Sequence, residues 1–153
     1  VDPRELCSKH SKLFIREAED FFLYKFLYPR ILQAATSIGL KIPVSEAKRI
    51  LNGAGSKREA TERMAWFIIG MFEMQPELLT YERLHGAVLS DTMAQKAVAL
   101  LKSVLGGREL RYEDAVAFAR DCGLEKLHSL LTSFPEVSKR LIDYLNTESK
   151  QSK

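Results

Sequence analysis

The chain has 153 residues, 46% of them hydrophobic and 28% charged, with a net charge of +3 and a pI near 8.9. That length is enough to bury roughly two-thirds of the unfolded surface in one domain. The near balance of 23 basic against 20 acidic residues excludes the composition of a histone or a ribosomal tail.

Two cysteines make no disulfide framework, so Cys7 and Cys122 read as free thiols in a reducing compartment, and the chain as intracellular and cytoplasmic. The opening Val1-Asp2-Pro3 carries no methionine and no apolar signal segment, and reads as the edge of an excised domain or a processed product. Asp2, Pro3 and Glu5 then supply an N-cap, a first-turn proline and a capping-box glutamate. Leu6, His10, Leu13, Phe14, Ala18 and Phe21 follow on one face, predicting a long first helix.

Residues 21–28 hold too many rings for a single stripe, so some of them meet either the core or a partner. Tyr28-Pro29 is predicted to kink or end the helix, because the residue before proline is pushed out of the α region. Lys25, charged among apolar neighbours, requires one side of this helix to reach solvent or an opposing chain. Phe22, Tyr24, Lys25 and Tyr28 are therefore candidate partner-interface residues, with a homodimer among the partners considered. A short helix should run from residue 29 to 39, and another from Pro43 and Ser45 to the next glycines.

Those glycines sit in residues 52–59, read Asn-Gly-Ala-Gly-Ser-Lys-Arg-Glu. Ser56 and Glu59 stand at capping-box spacing, which predicts a helix start, and the glycines permit a turn that a β-carbon would oppose. A helix N-terminus exposes amides and a positive dipole end, and here Lys48, Arg49, Lys57, Arg58 and Arg63 flank it. Such an end suits anions, so Lys48, Arg49, Gly53, Gly55, Ser56, Lys57 and Arg58 form the candidate phosphate or nucleic-acid site. Over residues 50–64 the turn resembles the hairpin of the helix-hairpin-helix family, with Leu51, Gly53, Gly55 and Lys57 where that pattern has them. The resemblance implies backbone amides holding a nucleic-acid phosphate. Ala54 is small for the pattern's central apolar position, and Ala60 falls one residue late.

The helix that starts here runs into Met-Ala-Trp-Phe-Ile-Ile-Gly-Met-Phe-Glu-Met, residues 64–74, which has no polar face. Its apolar run of about nine residues is far short of the roughly 18 to 20 that cross a membrane, so it is predicted to be a core helix, buried on every side over about 57–74. Beyond Gln75-Pro76, helices are predicted over 77–89, over 91–105 to Gly106-Gly107, and from Tyr112 to Gly123. Two more carry Leu124, Leu127, Leu130 and Leu131, then Val137, Leu141, Tyr144 and Leu145, the last opened by Ser133 and Glu136 at capping-box spacing. Residues 147–153 have nothing to bury and are predicted to be a disordered tail. A weak echo at a separation of 68 residues relates Gly39 and Gly55 to Gly107 and Gly123.

No alternating β pattern occurs, so the expected fold is all-α. It is a single domain over 1–146, a compact bundle of seven to nine short helices around the central one. Cys7, His10, Cys122 and His128 have the right chemistry for zinc but the spacing of no standard finger, so no metal or other cofactor is expected. His85, with Tyr81 and Glu82 one turn away, could be held as a base but equally fits a surface position. Catalytic motifs are lacking, and the chain reads as a non-enzymatic binding module. Nucleic acid or phosphate at the glycine turn is the leading expectation. A protein partner on the aromatic first helix is the alternative.

Overall fold

The computed structural model describes residues 12–85 and 109–151. Cys7, His10, the helix expected over 91–105 and the side chain of His85 lie outside the described residues. The described chain is all-helical, and its elements pack as a compact bundle.

Helix α1 (Lys12–Asp20) does not end at the proline. It passes through a π-helical segment, Phe21–Leu27, into α2 (Tyr28–Ser37). Proline has no N–H, and its ring crowds the carbonyl four residues back. Widening the helix relieves that crowding: the Tyr28 amide donates to Leu23 O, five residues back. The result turns the aromatic segment inward. Leu23, Phe26, Leu27, Tyr28, Ile31, Ala34 and Ala35 are all buried, and Tyr28 has no exposed surface. Arg30 is buried with them, its guanidinium 4.4 Å from the Phe26 ring centroid and 5.2 Å from that of Tyr144 while it donates to Leu84 O at 2.6 Å.

Helix α3 (Val44–Leu51) buries no residue and packs on α4 (Lys57–Met74), which it joins through the glycine turn. Helix α4 corrects the expectation of burial on every side. Ala65, Ile68, Ile69 and Phe72 form its one buried stripe, Trp66 is half-buried, Met71 is 40% exposed and Met74 is 85% exposed. The apolar run therefore has a wet side, which large unbranched methionines occupy at its C-terminal end. The most buried stretch of the described chain is the π-helical segment with the start of α2.

A helical turn at Pro76–Leu78 and the short α5 (Tyr81–His85) follow, and α5 packs on α2. Helices α6 (Tyr112–Asp121), α7 (Glu125–Ser133) and α8 (Pro135–Gln151) complete the bundle. They enclose a smaller core of Ala119, Leu124, Leu131 and Ile142, while Leu130, Val137, Leu141, Tyr144 and Leu145 belong to the main one. Residues 147–151, expected as disordered tail, continue α8, and Thr147 returns its hydroxyl to Asp143 O at 2.9 Å. The echo reaches the backbone: α3 and α6 start 68 residues apart, and so do α4 and α7.

Cys122 is disulfide-bonded, so the expectation of free thiols is corrected there. Among the described residues no group of His, Cys, Asp and Glu could hold a metal, and no helix is long and apolar enough to cross a membrane.

Two helix starts are capped from other helices. Glu73 of α4 accepts from the amides of Glu136 at 3.1 Å and Val137 at 2.9 Å, so the cap of α8 is this carboxylate. Glu73→Ala is expected to lower stability by about 1–2 kcal/mol, the upper part of the range for a lost N-cap, in urea denaturation. Glu19 of α1, itself buried, accepts from Leu127 N at 3.1 Å near the start of α7. Burial pushes its carboxyl above the usual range, and the Leu127 N–H opposes that shift only in part. A carboxyl raised in the folded state makes stability fall as pH rises from the unfolded value, 4.5, through the folded one. Glu19→Gln keeps an acceptor for Leu127 and is expected to remove this fall. The difference between the two chains' stability-against-pH curves measures it.

Candidate functional site

The glycine turn forms as the capping box predicts, with one change. Ser56 is extended and its hydroxyl accepts from Glu59 N at 3.1 Å, but the Glu59 carboxylate reaches past Ser56 to the Gly55 amide at 3.0 Å. That N–H, with the Arg63 charge behind it, holds Glu59 below the ordinary carboxylate range. Arg63 donates to Glu59 Oε1 at 2.7 Å and to Asn52 O at 2.5 Å, closing the turn onto α4.

Only Gly53 uses glycine's freedom in this turn, at φ 77. Gly55 has no such requirement, and a β-carbon on it would meet Glu59 Oε2 at an ordinary 3.5 Å. Gly53→Ala is accordingly expected to cost about 1 kcal/mol or somewhat more, the left-handed penalty for an L-residue. Gly55→Ala should stay within about 0.5 kcal/mol, as surface changes usually do. Parallel denaturation curves of the two variants check both.

The cations around the turn are largely matched by the protein's own carboxylates. Arg49 pairs with Glu46, Arg58 with Asp20 at 2.9 Å, and Arg63 with Glu59. The Arg49 hydrogen bond draws the Glu46 carboxyl below its usual range. Lys48 and Lys57 carry no ion pair among the described residues. No acceptor there meets the amides of Ser56, Lys57 and Arg58, so an anion would find these amides and two lysines with Glu59 close by.

The sequence treats the basic turn and the aromatic helix as separate sites, but the structure joins them. Arg58 lies 4.0 Å over the Tyr24 ring centroid, and Lys126 of α7 lies 5.2 Å from it while donating to the Tyr24 hydroxyl at 3.1 Å. That hydroxyl donates to Glu62. Burial, followed by the Glu62 hydrogen bond, raises the Tyr24 phenol well above its usual range. Tyr28 cannot reach a partner: it has no exposed surface, and its hydroxyl accepts from Trp66 Nε1 at 2.9 Å. Phe22 is half-buried and stacks on Phe26 at 5.7 Å, which leaves Lys25 as the exposed member of the expected interface.

Beside Tyr24, α4 and α7 frame an open cleft of about 560 Å³ lined by Glu59, Glu62, Arg63, Trp66, Glu125, Lys126 and Ser129. Sequence reasoning missed it because its two walls lie some sixty residues apart in the chain. Among the described residues, the large apolar side chains left exposed are Val44 and Leu51 on α3, and Met71 and Met74 on α4. Each pair shares a helix face. No family model, curated protein or solved structure matches the chain.

Proposed function

We propose that the chain is a non-catalytic helical binding module that engages a protein partner, with the α3–α4 pair as its docking face. The observation that carries this reading is the exposure of Met74 at 85%, Val44 at 71%, Met71 at 40% and Leu51 at 36% on two helices packed together. Large apolar groups left exposed on adjoining helices suit association, and methionine adapts to irregular partner surfaces. The expected aromatic interface is correspondingly reduced to Lys25 and the edges of Phe22 and Tyr24.

Nucleic-acid or phosphate binding at residues 53–58 is the second reading, favoured by the unmatched amides of Ser56, Lys57 and Arg58. Pairing of Arg49, Arg58 and Arg63 weakens the field such binding draws on. A bonded Cys122 fits an oxidising compartment better than the cytoplasm read from the sequence.

The two readings separate by salt. Sedimentation and affinity capture at 0.15 M and at about 1 M salt should find an association that survives high salt, where charge contacts are screened beyond about 3 Å. It should be lost in the Met71→Glu, Met74→Glu variant. A chain that binds no protein under either condition, yet binds single- or double-stranded nucleic acid tighter than about 100 μM with a steep salt dependence, reverses the order of the readings.

A further inference from the structure

We infer that the cleft between α4 and α7 receives a cationic side chain, arginine or lysine, from a partner polypeptide. The inference rests on the protein-partner reading for the nature of its ligand, but uses a different surface. Three carboxylates face the cleft, Glu59, Glu62 and Glu125, against two cations, and both cations already have partners. Arg63 is held by Glu59 and by Asn52 O. Lys126 is held by the hydroxyl and ring of Tyr24. Glu125 has no ion-pair partner among the described residues, and the one bond to Glu62 there is the Tyr24 hydroxyl.

An entering anion would meet this surplus of carboxylates and would have to displace Arg63 or Lys126 from its present contact. An entering cation would meet Glu125 and Glu62 directly. The indole of Trp66 strengthens that preference. Its N–H is spent on Tyr28, and the ring stands edge-on to Phe134 with centroids 5.4 Å apart, so what it offers the cleft is carbon surface. A guanidinium or ammonium beside an aromatic ring and two carboxylates gains from both. The volume of about 560 Å³ suffices for one long side chain with its flanking backbone, and lies within the span of ordinary ligand clefts, about 300–1,000 Å³.

Trp66 is the chain's one tryptophan, so its fluorescence reports on the cleft directly. The full chain is titrated with a blocked Gly-Arg-Gly peptide, and separately with a blocked Gly-Glu-Gly peptide. The arginine peptide is expected to change the emission saturably with a dissociation constant of about 1–10 mM, weak as befits one side chain. The glutamate peptide should produce no saturable change. Glu125→Gln, at an exposed position, should weaken the arginine response about twofold to threefold, and Glu62→Gln with Glu125→Gln about tenfold, as two charge contacts are lost. Circular dichroism verifies the fold of each, and if the double variant unfolds, the single one decides.

An unsaturable arginine response, an equal response to the glutamate peptide, or indifference to Glu125→Gln overturns the inference. The Met71→Glu, Met74→Glu chain should bind the arginine peptide as the wild type does, so this inference and the apolar docking face fail separately.

Discussion

Tyr28→Ala is expected to cost about 3–5 kcal/mol of folding stability, the range for removing a large ring from a well-packed core. The ring has no exposed surface, and its hydroxyl is the acceptor for Trp66 Nε1. The substitution therefore opens a cavity and leaves a half-buried indole N–H without its partner. Tyr28→Phe should isolate the second effect at about 1 kcal/mol, the net value of one hydrogen bond. Lys25→Ala, three residues earlier and exposed, should stay within about 0.5 kcal/mol. Chemical denaturation of the three variants reads the contrast. A Tyr28→Ala loss below about 1 kcal/mol would return this ring to the surface and to the partner-interface role read from the sequence.

The second large effect concerns α4. Phe72→Ala should cost about 3–5 kcal/mol, while Met74→Ala, two residues on and 85% exposed, should change stability by no more than about 0.5 kcal/mol. By its sequence alone the helix gives both positions equal weight. Comparable losses at both would mean that α4 is buried all round after all, and the docking face proposed on Met71 and Met74 would be gone.

Several helix starts are legible in local signals. Ser56 caps α4 as its spacing with Glu59 requires, and helices start near Val44, Tyr112 and Glu125 as the neighbouring proline and glycines predict, although none of these three starts has a side-chain cap. What escaped is what depends on distant residues. Asp20 and Arg58 stand 38 positions apart in the chain, and nothing in either neighbourhood announces that one will neutralise the other. Glu73 as the cap of α8 is equally hidden, because Ser133 and Glu136 offer a local capping pattern of their own.

Two local signals misled. Pro29 in its sequence context predicts a helix break, yet a π-helical segment absorbs it and carries the rings inward. Continuous apolarity over 64–74 predicts burial on every side, although composition cannot say which of several large apolar residues the neighbours will cover.

The caps supplied by Glu73 and Glu19 also bear on how the molecule opens. The first turn of a helix ordinarily frays by itself, and its amides exchange with solvent at little cost. In α8 the amides of Glu136 and Val137 are closed by a residue of α4, more than sixty positions away. Leu127 of α7 is closed by α1 across 108 positions. Exposing any of these amides requires one helix to part from another, which joins the helix ends to the cooperative unit of the core. Deuterium uptake at Glu136, Val137 and Leu127 should then follow the slow opening of the bundle, where a locally capped end would exchange on its own.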